Sequence, residues 1–108
     1  MSAAFRPADA LAALAKAGGA FVTLFRHGTF EVEIYRPPGA DPQKPHARDE
    51  IYVVIAGSGW FQMGGQRVPF APGDVLFIEA GLAHRFVDFT PDFATWVFFY
   101  GPDGGERA

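Results

Sequence analysis

Beyond Gly18-Gly19, glycine or proline interrupts the chain at short intervals, and the stretches between are rich in β-branched and aromatic residues. The breaks fall at Gly57-Ser58-Gly59, Gly64-Gly65, Pro72-Gly73, Gly81 and Pro91-Asp92. They bound apolar windows at 51–55, 60–63, 67–70, 75–78, 84–89 and 93–100. Upstream, residues 21–25 lead into a His27-Gly28 turn, after which Phe30, Val32 and Ile34 alternate with Glu31 and Glu33 until Pro37-Pro38-Gly39. Short strands at near-regular spacing with turn residues between them predict an all-β sandwich or small barrel. One helix is expected, over residues 7–17, with Pro7 in the first turn, Asp9 at the positive end and Gly18-Gly19 after it. Leu11 and Leu14 share a face of that helix, so it should pack on the rest of the fold or on a partner subunit.

The 108 residues suffice for one domain with one real core, and 12 phenylalanines make that core aromatic. No repeat or long linker divides the chain. The expected organisation is a helical segment at 1–20, a barrel over 21–101 and a polar tail at 102–108. The nine basic residues form no run or stripe that could neutralise a phosphate backbone, which argues against a nucleic-acid partner. The absence of cysteine removes disulfides, thiolate metal sites and a thiol nucleophile together. Asp9 and Lys16 interrupt the alanine-rich start, which makes it a poor signal peptide and too short an apolar run to span a bilayer. A cytoplasmic protein without membrane contact is expected.

Two strands are apolar on both faces. Ile51, Val53 and Ile55 oppose Tyr52 and Val54; Val97 and Phe99 oppose Trp96, Phe98 and Tyr100. A strand with one wet face should alternate apolar with polar. Two-sided strands imply that one face lines an interior while the other is covered, and a homodimer with a β-rich interface is the expected cover.

His46 and Glu50 lie an even number of residues apart, so in extended chain they face one way with Tyr52 and Val54. His84 opens a later strand. If these faces share one interior, two imidazoles and a carboxylate converge in an apolar cavity, where an unpaired carboxylate is costly. A divalent cation keeps Glu50 ionised, uses the neutral imidazoles as ligands and retains open positions; this donor set suits iron, manganese, nickel or zinc. Lys44 has the same parity as His46 and Glu50. Its ammonium either reaches the interior and pairs with Glu50 in place of a metal, or faces solvent from its proline-flanked loop.

The chain resembles a small single-domain cupin, a jelly-roll barrel family. Gly39, His46, Glu50 and Gly57 follow the family's first motif, with Lys44 where a first histidine usually stands. Gly73, Gly81 and His84 follow the second, with Glu79 in place of a proline and Asp88 in place of an asparagine. The likeness runs over roughly residues 30–100. It implies a metal held by His46, Glu50 and His84, with Gln43 or water completing the sphere, and a small-molecule ligand beside it. Tyr52, Phe86, Trp96 and Arg48 are candidates to line that pocket, and Tyr52 and Glu79 are weak candidates for a general base. Oxygenation and isomerisation are the enzymatic readings; a non-catalytic metal- or ligand-binding module is the alternative. His27 reads as structural, Glu79 as an exposed turn residue, and Gly57-Ser58-Gly59 as a hairpin turn.

Overall fold

The computed structural model describes residues 2–42 and 44–107. It contains one helix and eight strands: α1 (Pro7–Ala17), β1 (Phe21–His27), β2 (Phe30–Tyr35), β3 (Asp49–Ala56), β4 (Gly59–Met63), β5 (Gln66–Phe70), β6 (Val75–Ile78), β7 (His84–Val87) and β8 (Ala94–Tyr100). The strands form two antiparallel sheets, of order β1-β2-β8-β3-β6 and β5-β4-β7. Side chains from both sheets make one core, which includes Tyr35, Tyr52, Val54, Phe61, Phe86 and Val97. The architecture is therefore all-β, as the punctuation predicts. It takes the form of two facing sheets, a jelly-roll arrangement, with one short helix outside.

The helix begins with Pro7 in its first turn, carries Asp9 at its N-terminal end, and stops where the Gly18 amide bonds back to the Leu14 carbonyl at a φ of 74°. Its buried residues, Ala10 and Leu14, pack on Ile34, with Leu11, Val22, Leu24, Ile55 and Trp96 around them. The helix thus covers one part of the outer face of the five-stranded sheet. No helix among the described residues is long and apolar enough to cross a membrane.

The inner faces meet in an aromatic cluster. Phe86 lies 4.7 Å from Phe61, 4.6 Å from Phe93 and 4.8 Å from Tyr52 between ring centroids. These are the tilted and edge-on geometries that ring quadrupoles favour. A buried carboxylate pins the loop after β2 to both sheets: Tyr35 donates its hydroxyl to Asp41 at 2.5 Å, and the Phe86 amide donates to the other Asp41 oxygen at 2.8 Å. Pro69 is tolerated in β5 because that strand is the edge of its sheet.

Several strand bounds differ from expectation by one or two residues, and one of them has a clear backbone cause. The seventh strand ends at Val87 rather than at residue 89, because Asp88 adopts a left-handed conformation with φ 50° that turns the chain. The residues after Tyr100 are held by hydrogen bonds: the Gly104 amide reaches the Ala47 carbonyl at 2.7 Å, and the Glu106 amide donates to the Asp49 carboxylate at 2.8 Å.

Gly57 shows where this packing tolerates no side chain. Its φ is 85°, and a Cβ there would lie 2.5 Å from Phe93 Cα. Gly28 has a φ of 61° but nothing within 4 Å. Gly57→Ala should therefore destabilise the fold by at least about 2 kcal/mol, and Gly28→Ala by only about 1. Urea denaturation midpoints measure the difference, and equal losses at the two positions would refute this account.

Candidate metal centre

Glu50 enters the interior near the start of β3, on the same face as Tyr52 and Val54, and is only 1 % exposed. His46 precedes that strand in a loop, where the Gly81 amide holds its carbonyl at 2.7 Å. His84 opens β7 on the facing sheet with its side chain fully buried. The β3 strand and the turn after β6 thus bring residues from both halves of the chain to one place. His84 Nε2 is 3.1 Å and His46 Nε2 3.8 Å from the same Glu50 oxygen, Oε1. The donor atoms of the three residues all lie within 4.8 Å of one another. Ligands at about 2.1 Å from one cation are about 3–3.5 Å apart, so this cluster is close to a coordinating arrangement.

The hydrogen bonding sharpens the case. His84 Nδ1 is 2.8 Å from the Leu82 carbonyl, which can only accept, so Nδ1 carries the proton. In the neutral ring Nε2 then presents its lone pair. Tyr52 can donate its hydroxyl to it at 3.1 Å, but the Glu50 carboxylate, at the same distance, cannot. Glu50 Oε1 has no hydrogen-bond partner among the described residues. A buried carboxylate oxygen facing an imidazole lone pair needs a cation between them or a second proton on the ring. Burial alone would lower the His84 pKa, but Glu50 beside Nε2 and the Leu82 carbonyl on Nδ1 outweigh it, and the net direction is upward. The donor set, two imidazoles and one carboxylate, suits a divalent transition metal.

A cavity of about 400 Å³ adjoins the cluster and reaches His46 and Glu50. Phe21, Val97 and Phe99 form apolar wall, and Glu33 and Tyr35 contribute polar groups. Glu33 accepts a hydrogen bond from the Thr23 hydroxyl at 3.2 Å. Burial, together with the nearby charges of Glu31 and Glu50, outweighs that bond and raises its pKa. Glu33 and Tyr35 face inward because Ile34, between them, lies under the helix. The alternation in this strand was legible in the sequence, but not which face was inside. The apolar face lies outside, with Ile34 under α1, and the glutamate face looks into the barrel.

The other expected residues are distributed more widely. Tyr52 reaches the centre through its hydroxyl, while Phe86 sits deeper in the aromatic cluster. Trp96 lies on the outer face of β8 against the helix, opposite to the cavity-lining Val97 and Phe99. Both faces of β8 are apolar, so parity separated them without telling inside from outside. Arg48 sits at the rim, donating to the Thr29 carbonyl and pairing with Glu31 at 3.1 Å, with its guanidinium 5.6 Å from the Phe99 ring centre. Lys44 is exposed, and the ion pairs found for Glu50 are with His46 and His84. Glu79 is exposed, and Asp88 pairs with Arg67 at the surface at 2.6 Å. Gln43 lies outside the described residues.

With this geometry in place, comparison with known proteins is direct. The family model for the cupin domain matches residues 31–100. An uncharacterised protein of Streptomyces coelicolor is 33 % identical over 102 residues, covering 93 % of this chain and 97 % of that protein. An oxalate-binding protein of Thermotoga maritima is 38 % identical over 50 residues, which span 44 % of this chain and 41 % of that relative. The crystal structure of a cupin 2 conserved-barrel protein from Salinispora arenicola superposes with a TM-score of 0.67 at 22 % identity, covering 94 % of this chain and 91 % of that one.

In metal-free protein, His84 holds its proton more tightly when folded than when unfolded. Its contribution to stability is complete below the ordinary value of 6.5 and is lost as pH rises through the raised folded value. Urea midpoints of chelator-treated protein should therefore fall as pH rises past 6.5, and His84→Gln should flatten that slope. A wild-type midpoint that stays level over that rise would contradict the proton assignment. These lines of geometry and likeness converge: the chain belongs to the cupin family.

Proposed function

We propose that this cupin binds a divalent metal ion through His46, Glu50 and His84 and holds a small molecule in the adjoining cavity. The observation that carries the reading is the buried Glu50 oxygen, without a hydrogen-bond partner among the described residues and facing two imidazole nitrogens. A bound cation there supplies Lewis-acid polarisation to a ligand oxygen. The protein's own residues do the rest. Tyr52 and the Leu82 carbonyl orient His84, Phe21 and Phe99 wall the ligand space, and the Tyr35–Asp41 bridge steadies the loop beside it. Iron, manganese, nickel and zinc all suit the donors, and oxygenase or isomerase chemistry is the enzymatic form of this reading. A non-catalytic ligand-binding module is the second reading, supported by the oxalate-binding name of the Thermotoga relative.

Metal analysis of untagged protein tests the first step. Wild type should contain about one divalent ion per chain, and His46→Ala, Glu50→Ala and His84→Ala should each lose most of it, a drop in affinity of tenfold or more. Full metal content in the Glu50 variant would end this reading. Turnover against small carbonyl and phenolic compounds then separates enzyme from binding module.

The cytoplasmic, dimeric form expected from the sequence belongs to the same proposal. The helix leaves part of the five-stranded sheet's outer face bare, where Phe30, Ile51, Phe98 and Tyr100 line an apolar depression. On the adjoining edge strand β6, Phe77 is 53 % and Val75 65 % exposed. A continuous apolar face ending in an unpaired edge suits a second copy. Light scattering at micromolar concentration should give the dimer mass and Phe77→Glu the monomer mass; a monomeric wild type would remove the dimer from the proposal.

A further inference from the structure

The cavity carries a second carboxylate that the metal site does not use. Glu33 lines it together with His46 and Glu50, and the Thr23 hydroxyl holds one of its oxygens. The rest of the lining is predominantly apolar, with Phe21, Val97 and Phe99 prominent. Neither lysine nor arginine stands among the described lining residues. Arg48 is engaged at the rim by Glu31, the Thr29 carbonyl and the Phe99 ring.

Charge balance decides what such a space can accept. A divalent cation with one carboxylate ligand carries a net single positive charge. A neutral or singly charged oxygen ligand can be accommodated against it. A dianion overcompensates it and also meets the Glu33 carboxylate, and the described lining residues supply no lysine or arginine to pair with it. Glu33 offers oxygen acceptors to any ligand that brings a donor.

We propose that Glu33 is a ligand-contacting residue that selects a neutral or singly charged, partly apolar oxygen chelator bearing an O–H or N–H donor, and that the site disfavours small dicarboxylates such as oxalate. The inference rests on the metal reading above and narrows its ligand. It also separates this chain from the function printed for its Thermotoga relative, although the two share sequence over 50 residues.

The test uses the full chain loaded with cobalt(II), whose visible absorption reports a change in coordination. The probes are benzohydroxamic acid, which chelates as a singly charged hydroxamate and carries an apolar ring and an N–H group, and oxalate. Benzohydroxamate should bind the wild type roughly tenfold or more tightly than oxalate. Glu33→Gln should weaken benzohydroxamate by roughly tenfold, the scale of a lost charge-assisted hydrogen bond, and strengthen oxalate. This opposite movement is something a merely structural role for Glu33 does not produce. Glu33→Asp, which retains the charge but withdraws the carboxyl group, should weaken benzohydroxamate without improving oxalate, and it serves if the Gln variant does not fold. Cobalt-loaded protein that prefers oxalate, or a Gln variant that shifts both ligands alike, overturns this inference alone. Protein that takes up no cobalt overturns the metal reading and this one with it.

Discussion

The arrangement around Glu50 governs the rest of the molecule. Its carboxylate lies in the interior at 1 % exposure, and an uncompensated charge there costs several kcal/mol. The chain brings His84 from the second sheet and His46 from the loop before β3 to within ion-pair distance of one oxygen. Each histidine is itself held by the backbone, His84 through the Leu82 carbonyl and His46 through the Gly81 amide. Two apolar sheets alone would favour no such point. The polar cluster makes their meeting specific, because any slip of one sheet against the other would strand the carboxylate.

Around this point the interior is divided. Away from the cluster it is packed with aromatic rings, with Phe61, Phe86 and Phe93 at centroid separations of 4.6 and 4.7 Å. Beside it the packing opens into a cavity where Glu33, Tyr35, His46 and Glu50 share space with Phe21 and Phe99. Between the two regions stands Tyr52, whose ring belongs to the aromatic cluster and whose hydroxyl reaches His84. Rigid packing on one side and an open polar side on the other is the division a ligand site needs: the core fixes the donors, and the space remains for something to bind.

Much of this was legible in the amino-acid order. The helix bounds, the succession of strands along the chain and the grouping of His46, Glu50 and His84 follow from turn residues, parity and the glycine-framed motifs. The gaps have specific causes. Parity separates Trp96 from Val97 and Glu33 from Ile34, but it does not say which member of each pair is inside. That choice depended on where α1 came to rest: it covers Ile34 and Trp96, so Glu33 and Val97 turn inward. Arg48 was ambiguous for a different reason, since its partners Glu31 and Thr29 come from a distant turn of the chain. Asp41 gave no local signal, because both its partners are brought to it by folding.

The sequence by itself therefore determined the class of fold and the residues capable of holding a cation. Turn chemistry and the period of two are local properties, and donor types are intrinsic to side chains. The tertiary structure decided which faces enclose the cavity and that Glu33 belongs to it. It also decided that Lys44 stays in solvent while two histidines meet Glu50. Those outcomes depend on how two sheets and a helix pack in three dimensions, and no stretch of chain contains that information alone.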